Sequence, residues 1–144
     1  MSLVTTAGKA ALLTAATAWG AATVKVMLVG DGYTPDATAT NLTTAATHEI
    51  SGTGYAGGYA GSGRKTLASK TVTADQSDEV ARLDAADLTW TALDAGLVRY
   101  ALLVIETGGS DATSVLLACL DVPATLTDGT DFPLTWPESG LLVL

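Results

Sequence analysis

Two nearly unbroken apolar runs, residues 97–106 and 113–122, flank the turn sequence Gly108-Gly-Ser-Asp111. A strand with one wet face alternates apolar and polar residues, whereas these runs do not, so both of their faces must be covered. With the glycine turn between them they read as a hairpin at the centre of the fold. Further strands are predicted at residues 23–29 before Gly30-Asp-Gly32, at 66–73 and 79–84 around the turn residues Asp75-Gln-Ser-Asp78, and at Leu88-Thr-Trp90. Phe132, Leu134 and Trp136 alternate to one face of another strand, which Pro133 and Pro137 confine to an edge or an end of a sheet. Leu141 to Leu144 read as a closing strand paired in a sheet.

About eight short strands with turn chemistry between them predict a mainly β chain, an antiparallel β-sandwich or barrel. One short N-terminal helix is predicted within residues 7–18, capped by Thr5 or Thr6, with Leu12 and Leu13 facing inward and Gly20 ending it. Residues 1–20 then form a helix or arm, and residues 21–144 a single sandwich domain. Residues 33–47, rich in Thr and Ala without periodicity, read as a loop, and His48 to Ser51 as a short extended piece.

The 144 residues suit one domain, and 48% hydrophobic with only 15% charged residues argues against disorder. A net charge of −8 repels phosphate, so neither nucleic acid nor an anionic membrane is an expected partner. Cys119 is the single cysteine and His48 the single histidine, which excludes an intrachain disulfide and multi-Cys or His-pair metal sites. No run reaches the ~18 apolar residues of a membrane span. The opening residues have no basic stretch before the apolar one, and Lys9 falls inside it, so no signal peptide is expected and synthesis is expected in a cytoplasm.

Residues 52–63 hold six glycines and contain Gly52-Thr-Gly-Tyr-Ala-Gly57, a G-x-G-x-x-G match. No helix can open from the following Gly58-Tyr-Ala-Gly-Ser-Gly63, so a dinucleotide site is not expected. Gly58 to Thr66 nearly matches a P-loop, but Arg64 intrudes before Lys65 and a strand follows. The segment reads instead as a mobile or unusually shaped loop carrying two solvated cations, Arg64 and Lys65. The carboxylates Asp75, Asp78, Glu79, Asp84, Asp87 and Asp94, and the pair Asp31 and Asp36, lack calcium-loop spacing and read as solvated turn residues. There is no G-x-S-x-G elbow. His48 reads as a surface or hydrogen-bonded residue, and Cys119 as an inert core thiol. Trp19, Trp90 and Trp136 read as core or interface anchors. No enzyme and no cofactor are expected.

Several blocks occur in an order that resembles a group of small structural proteins of tailed-phage virions. They are Val24-Lys-Val-Met-Leu-Val-Gly-Asp-Gly-Tyr-Thr-Pro-Asp36, His48-Glu-Ile-Ser-Gly-Thr-Gly-Tyr-Ala-Gly57, Lys65-Thr-Leu-Ala-Ser-Lys-Thr-Val72 and Asp87-Leu-Thr-Trp90. Arg99 to Gly108, Leu134-Thr-Trp136 and Gly140-Leu-Leu-Val-Leu144 follow. The resemblance spans about residues 20–144 and departs at the longer glycine loop 57–63. It implies a virion component, in first place a capsid decoration or cement protein resting on a major capsid protein or other virion subunits, itself a homo-oligomer with trimers favoured. A tail or fibre-associated virion protein and a carbohydrate-binding β-sandwich module are the alternatives. Candidate interface and loop residues are Trp19, Tyr55, Tyr59, Arg64, Lys65 and Trp136.

Overall fold

A computed structural model describes residues 2–144. Its strands are β1 (Ser2–Val4), β2 (Val24–Val29), β3 (Lys65–Thr66), β4 (Thr71–Asp75), β5 (Val80–Asp84), β6 (Leu88–Trp90), β7 (Leu97–Ile105), β8 (Val115–Leu126), β9 (Phe132–Leu134) and β10 (Leu142–Val143). Two short helices, α1 (Thr6–Leu12) and α2 (Thr43–Ala46), and a 3-10 turn at Ala15–Thr17 complete it. The chain is mainly β, 38% strand and 10% helix, with antiparallel sheets. The sheets have orders β1-β8-β7-β2-β3, β10-β5-β4 and β6-β9.

The two apolar runs form β7 and β8, paired from Leu97↔Leu126 to Ile105↔Val115 in the middle of the five-stranded sheet. Their lack of alternation has the expected cause. Val26, Leu28, Leu103, Ile105 and Leu117 point into one core shared with Leu83, Trp90, Phe132 and Leu142 of the two smaller sheets. Met27, Val29, Leu102, Val104 and Cys119 point into a second core on the opposite face. Residues 33–47, expected to be plain loop, cover this second face: they include α2, and Tyr33, Leu42 and Ala45 plug the sheet.

Burial there has an electrostatic consequence. The Cys119 thiol is pushed up to about 12, chiefly by burial. The Tyr33 hydroxyl is also pushed up to about 12, by burial and then by Cys119 and Asp36. Above the ordinary values of 9.0 and 10.0 the unfolded chain loses these protons while the native chain keeps them. The unfolded state then binds fewer protons, so stability falls as pH rises through the interval up to about 12. Urea midpoints measured from neutral pH upward should show that decline, and Cys119→Ala should flatten part of it. An equal slope in the variant would contradict this.

The predicted helix is shorter than its Ala-rich run. Thr5 caps it, its Oγ1 accepting from Gly8 N at 2.8 Å. Helical hydrogen bonding stops after Leu12, and Leu13, expected to face inward, is 90% exposed. The reason is the close seat of α1 on β8. At a bulge between Leu103 and Val104 the β8 strand carries the extra residue Leu117, and both Leu117 and Ala118 turn to the same core. Thr5 N donates to the Leu117 carbonyl at 3.0 Å, and the Thr5 hydroxyl donates to Leu116. A Cβ on Gly8 would lie 2.5 Å from that Leu117 carbonyl oxygen. Gly8→Ala, normally favourable in a helix, should therefore cost about 1–3 kcal/mol here, readable as a lowered urea midpoint. β1 pairs with β8 from Ser2↔Leu120 to Val4↔Ala118, so the segment read as a helix or arm enters the central sheet; Met1 lies outside the described residues.

The strand predicted at 66–73 splits into β3 and β4, because Ser69 takes a left-handed conformation (φ 54°) between them. Glu79 (φ 56°) closes the next turn in the same way, so β5 begins at Val80. Leu142 pairs with Leu83 in the closing strand, as expected.

Candidate functional site

The glycine segment 52–63 has the unusual shape that was one of its two expected forms, with several of its glycines in close contact with neighbouring chain. A Cβ on Gly63 would sit 2.4 Å from the Tyr55 ring, and one on Gly61 would sit 2.1 Å from the Ala56 carbonyl oxygen. Glycine is required there for close approach of chain to chain. Tyr55 is thereby enclosed, and its hydroxyl accepts from Leu28 N at 3.1 Å and donates to Glu49 Oε1 at 2.7 Å.

Arg64 is no solvated cation. Its side chain is 4% exposed and that of Glu49 3%. Arg64 Nε donates to Glu49 Oε1 at 2.8 Å and its Nη2 to Glu49 Oε2 at 2.8 Å. Nη1 donates to Asp111 Oδ1 at 2.6 Å. Gly58 N completes Glu49 at 2.9 Å. Burial pulls the guanidinium pKa down, but the hydrogen bonds to Glu49 and Asp111 together outweigh it and raise it. Burial, then the Glu49 charge, raises the Tyr55 hydroxyl. Both carboxylate oxygens of Glu49 are occupied by donors, so the network holds no free base. Its role is to tie the segment 49–64 to the β7–β8 turn, where Asp111 sits and where its carbonyl also accepts from Leu42 N at 3.1 Å.

The remaining sequence-predicted residues are spread apart. Tyr59 and Lys65 are half-buried. The Tyr59 hydroxyl bonds Glu106, which raises its pKa. Glu106 is held low, first by Lys25 at 2.7 Å. Lys65 Nζ lies 5.9 Å from the Trp90 ring centre. His48 is half-buried and edge-on to Tyr33, with ring centres 6.1 Å apart. Trp19 is 3% exposed and donates to the Asp84 carbonyl; Trp90 is 1% exposed and donates to the Gly63 carbonyl at 2.6 Å. Trp19, Tyr55 and Arg64 are therefore interior residues of the subunit and not interface residues, because each buries its polar atoms in intrachain bonds.

Trp136 alone of the three tryptophans reaches the surface. Asp87 Oδ1 accepts from its backbone N at 2.8 Å and the Ala86 carbonyl from its Nε1 at 3.0 Å, which fixes the ring at the rim of a groove of about 480 Å³. Pro123, Pro137, Leu141 and Val143 line this groove. A second depression of about 560 Å³, walled by Leu3, Leu12, Leu13 and Leu144 with Lys9 as its cation, shares Val143 with the first. Val143 is thus common to both depressions, and β1, an edge strand of the five-stranded sheet, walls the second. Sequence reasoning missed this surface because it turns Leu13 inward together with Leu12; Leu12 does pack against the core, and Leu13 does not. No local signal separates the two residues, since an apolar helical stripe is wide enough to hold adjacent positions.

Among the described residues, no three His, Cys, Asp or Glu side chains are grouped to hold a metal ion, and no helix is long and apolar enough to cross a membrane. Comparison of the chain with protein-family models, with curated proteins and with solved structures finds no match.

Proposed function

We propose that this chain is a structural component of a tailed-phage virion, a capsid decoration or cement protein that rests on the major capsid protein or its neighbours and works as a homo-oligomer, with trimers favoured. It is made in the host cytoplasm and acts in the particle. The observation that carries the reading is the apolar surface around Leu13, Val143 and Leu144, all three exposed, with the half-buried Leu12 and Trp136 at its margins. Contiguous apolar surface of this kind marks association sites. The chemistry-bearing side chains support the same reading, since Arg64, Glu49 and Asp111 are consumed in holding the loop. A cement subunit gains from repetition: each contact in a lattice raises the effective concentration of the next, so small apolar patches suffice.

The test is mass spectrometry of heads and tails separated from purified particles. The expected result is this chain in the head fraction at a copy number comparable to that of the capsid subunits. Its presence in tails alone would move it to the tail-associated alternative, and its absence from both would overturn the proposal.

A further inference from the structure

The outer edge of β4 carries an inference independent of the virion reading. β4 is an edge strand of the sheet β10-β5-β4, and Thr71, Val72, Thr73 and Ala74 are all exposed, so neither of its faces is covered. Val72 is 60% exposed. The backbone of β5 shows which way the β4 amides point. Ala81 exchanges both of its hydrogen bonds with Leu144 at 2.9 Å, and the Leu83 carbonyl accepts from Leu141 N at 2.7 Å. Ala81 and Leu83 thus face β10. Their partners across the β4–β5 ladder, Ala74 and Val72, form the non-hydrogen-bonded pairs and turn their own N–H and C=O groups to the free edge. Edge strands are usually blunted by Lys, Pro or a bulge. Thr71 to Ala74 has none of these.

We infer that this edge is a seam for a second copy of the chain, paired antiparallel and centred on Thr73. The sequence is self-complementary in that register. Val72 meets Ala74 of the second copy, Thr73 meets Thr73, and Asp75 meets the hydroxyl of Thr71 and not another carboxylate. Opposed pairs of these kinds are favourable, and like charges directly opposite are not. The same register sets the outward groups of Val72 against those of Ala74, so both pairs exchange hydrogen bonds. Val72 lies across from Leu83 in the β4–β5 ladder, on the face that turns Leu83 into the core. The seam therefore continues that core layer from one copy to the next and covers the exposed valine. The result is one sheet of order β10-β5-β4-β4-β5-β10. Two bare strand edges bury far less than the ~1,200–2,000 Å² of a standard interface, so the free dimer is weak and the contact gains strength where other contacts hold copies side by side.

Cysteine cross-linking reads even a weak seam. Thr73 of each copy would form a non-hydrogen-bonded pair across the axis, close enough for a disulfide, whereas the two Thr71 residues would be roughly 13 Å apart at ~3.3 Å per residue. The buried Cys119 stays out of the reaction. Under mild oxidation Thr73→Cys should yield covalent dimer and Thr71→Cys should not. Ala74→Pro removes one outward N–H and leaves the β4–β5 ladder intact, so it should abolish the Thr73→Cys dimer without lowering the melting temperature by more than a few degrees. If Ala74→Pro fails to fold, Val72→Lys serves the same purpose through its charge. No dimer from Thr73→Cys, equal dimer from Thr71→Cys, or dimer that survives both edge variants overturns the inference.

Discussion

Arg64→Met should cost the fold about 3–5 kcal/mol, because it strands Glu49 and Asp111 without their partner. The Glu49 side chain is 3% exposed and loses two of the donors that hold its carboxylate. The cost arises from desolvated charge left behind and is not a measure of what the ion pair adds. A triple variant, Arg64→Met with Glu49→Gln and Asp111→Asn, removes the charges together and should recover much of the loss, as replaced buried ion networks do. Urea unfolding of the two variants reads both effects. A loss below about 1 kcal/mol in Arg64→Met, the range of an exposed pair, would show that the guanidinium is solvated after all.

The second large effect is Trp90→Ala, expected to cost about 3–5 kcal/mol or more. Trp90 sits between Tyr55 and Phe132, with ring centres 6.4 and 6.2 Å away, and its Nε1 bonds the Gly63 carbonyl. Truncation empties the junction where the β6–β9 pair, the glycine segment and the central sheet meet. Trp136→Ala removes a half-buried ring and should cost only about 1–2 kcal/mol, with assembly suffering more than folding. Thermal melts of the two isolated variants separate these cases. Equal losses would mean that Trp136 is as internal to the subunit as Trp90.

The central hairpin was legible because its residues are apolar on both faces, a local property of the chain. The turn after β4, the edge position of Pro133 and the cap at Thr5 were legible for the same reason: each is decided by a few adjacent residues. The glycine segment was not. Its composition is that of a flexible loop, and what shapes it is Tyr55 beneath Gly63 and a carboxylate 47 residues beyond Arg64. Sequence spacing carries no trace of such a partner. Arg64 was misread as a solvated cation for that reason, while Trp19 takes the core role of the two expected for it and Tyr55 is a loop residue turned inward. The apolar surface was hidden similarly. Val143 and Leu13 lie at opposite ends of the chain and line one depression only in the folded chain, where β1 pairs with β8 and β10 with β5.

The central claim is that this polypeptide acts through the apolar surface that it presents to other proteins. Co-sedimentation with purified phage particles, comparing the native chain with Leu13→Glu/Val143→Glu, tests it most directly. Both positions are exposed, so the variant should melt within a few degrees of the native chain, given ~0.5 kcal/mol for an ordinary surface substitution. The account predicts that the native chain pellets with particles and the variant stays in solution. A native chain that never pellets, or a folded variant that pellets equally well, would contradict it.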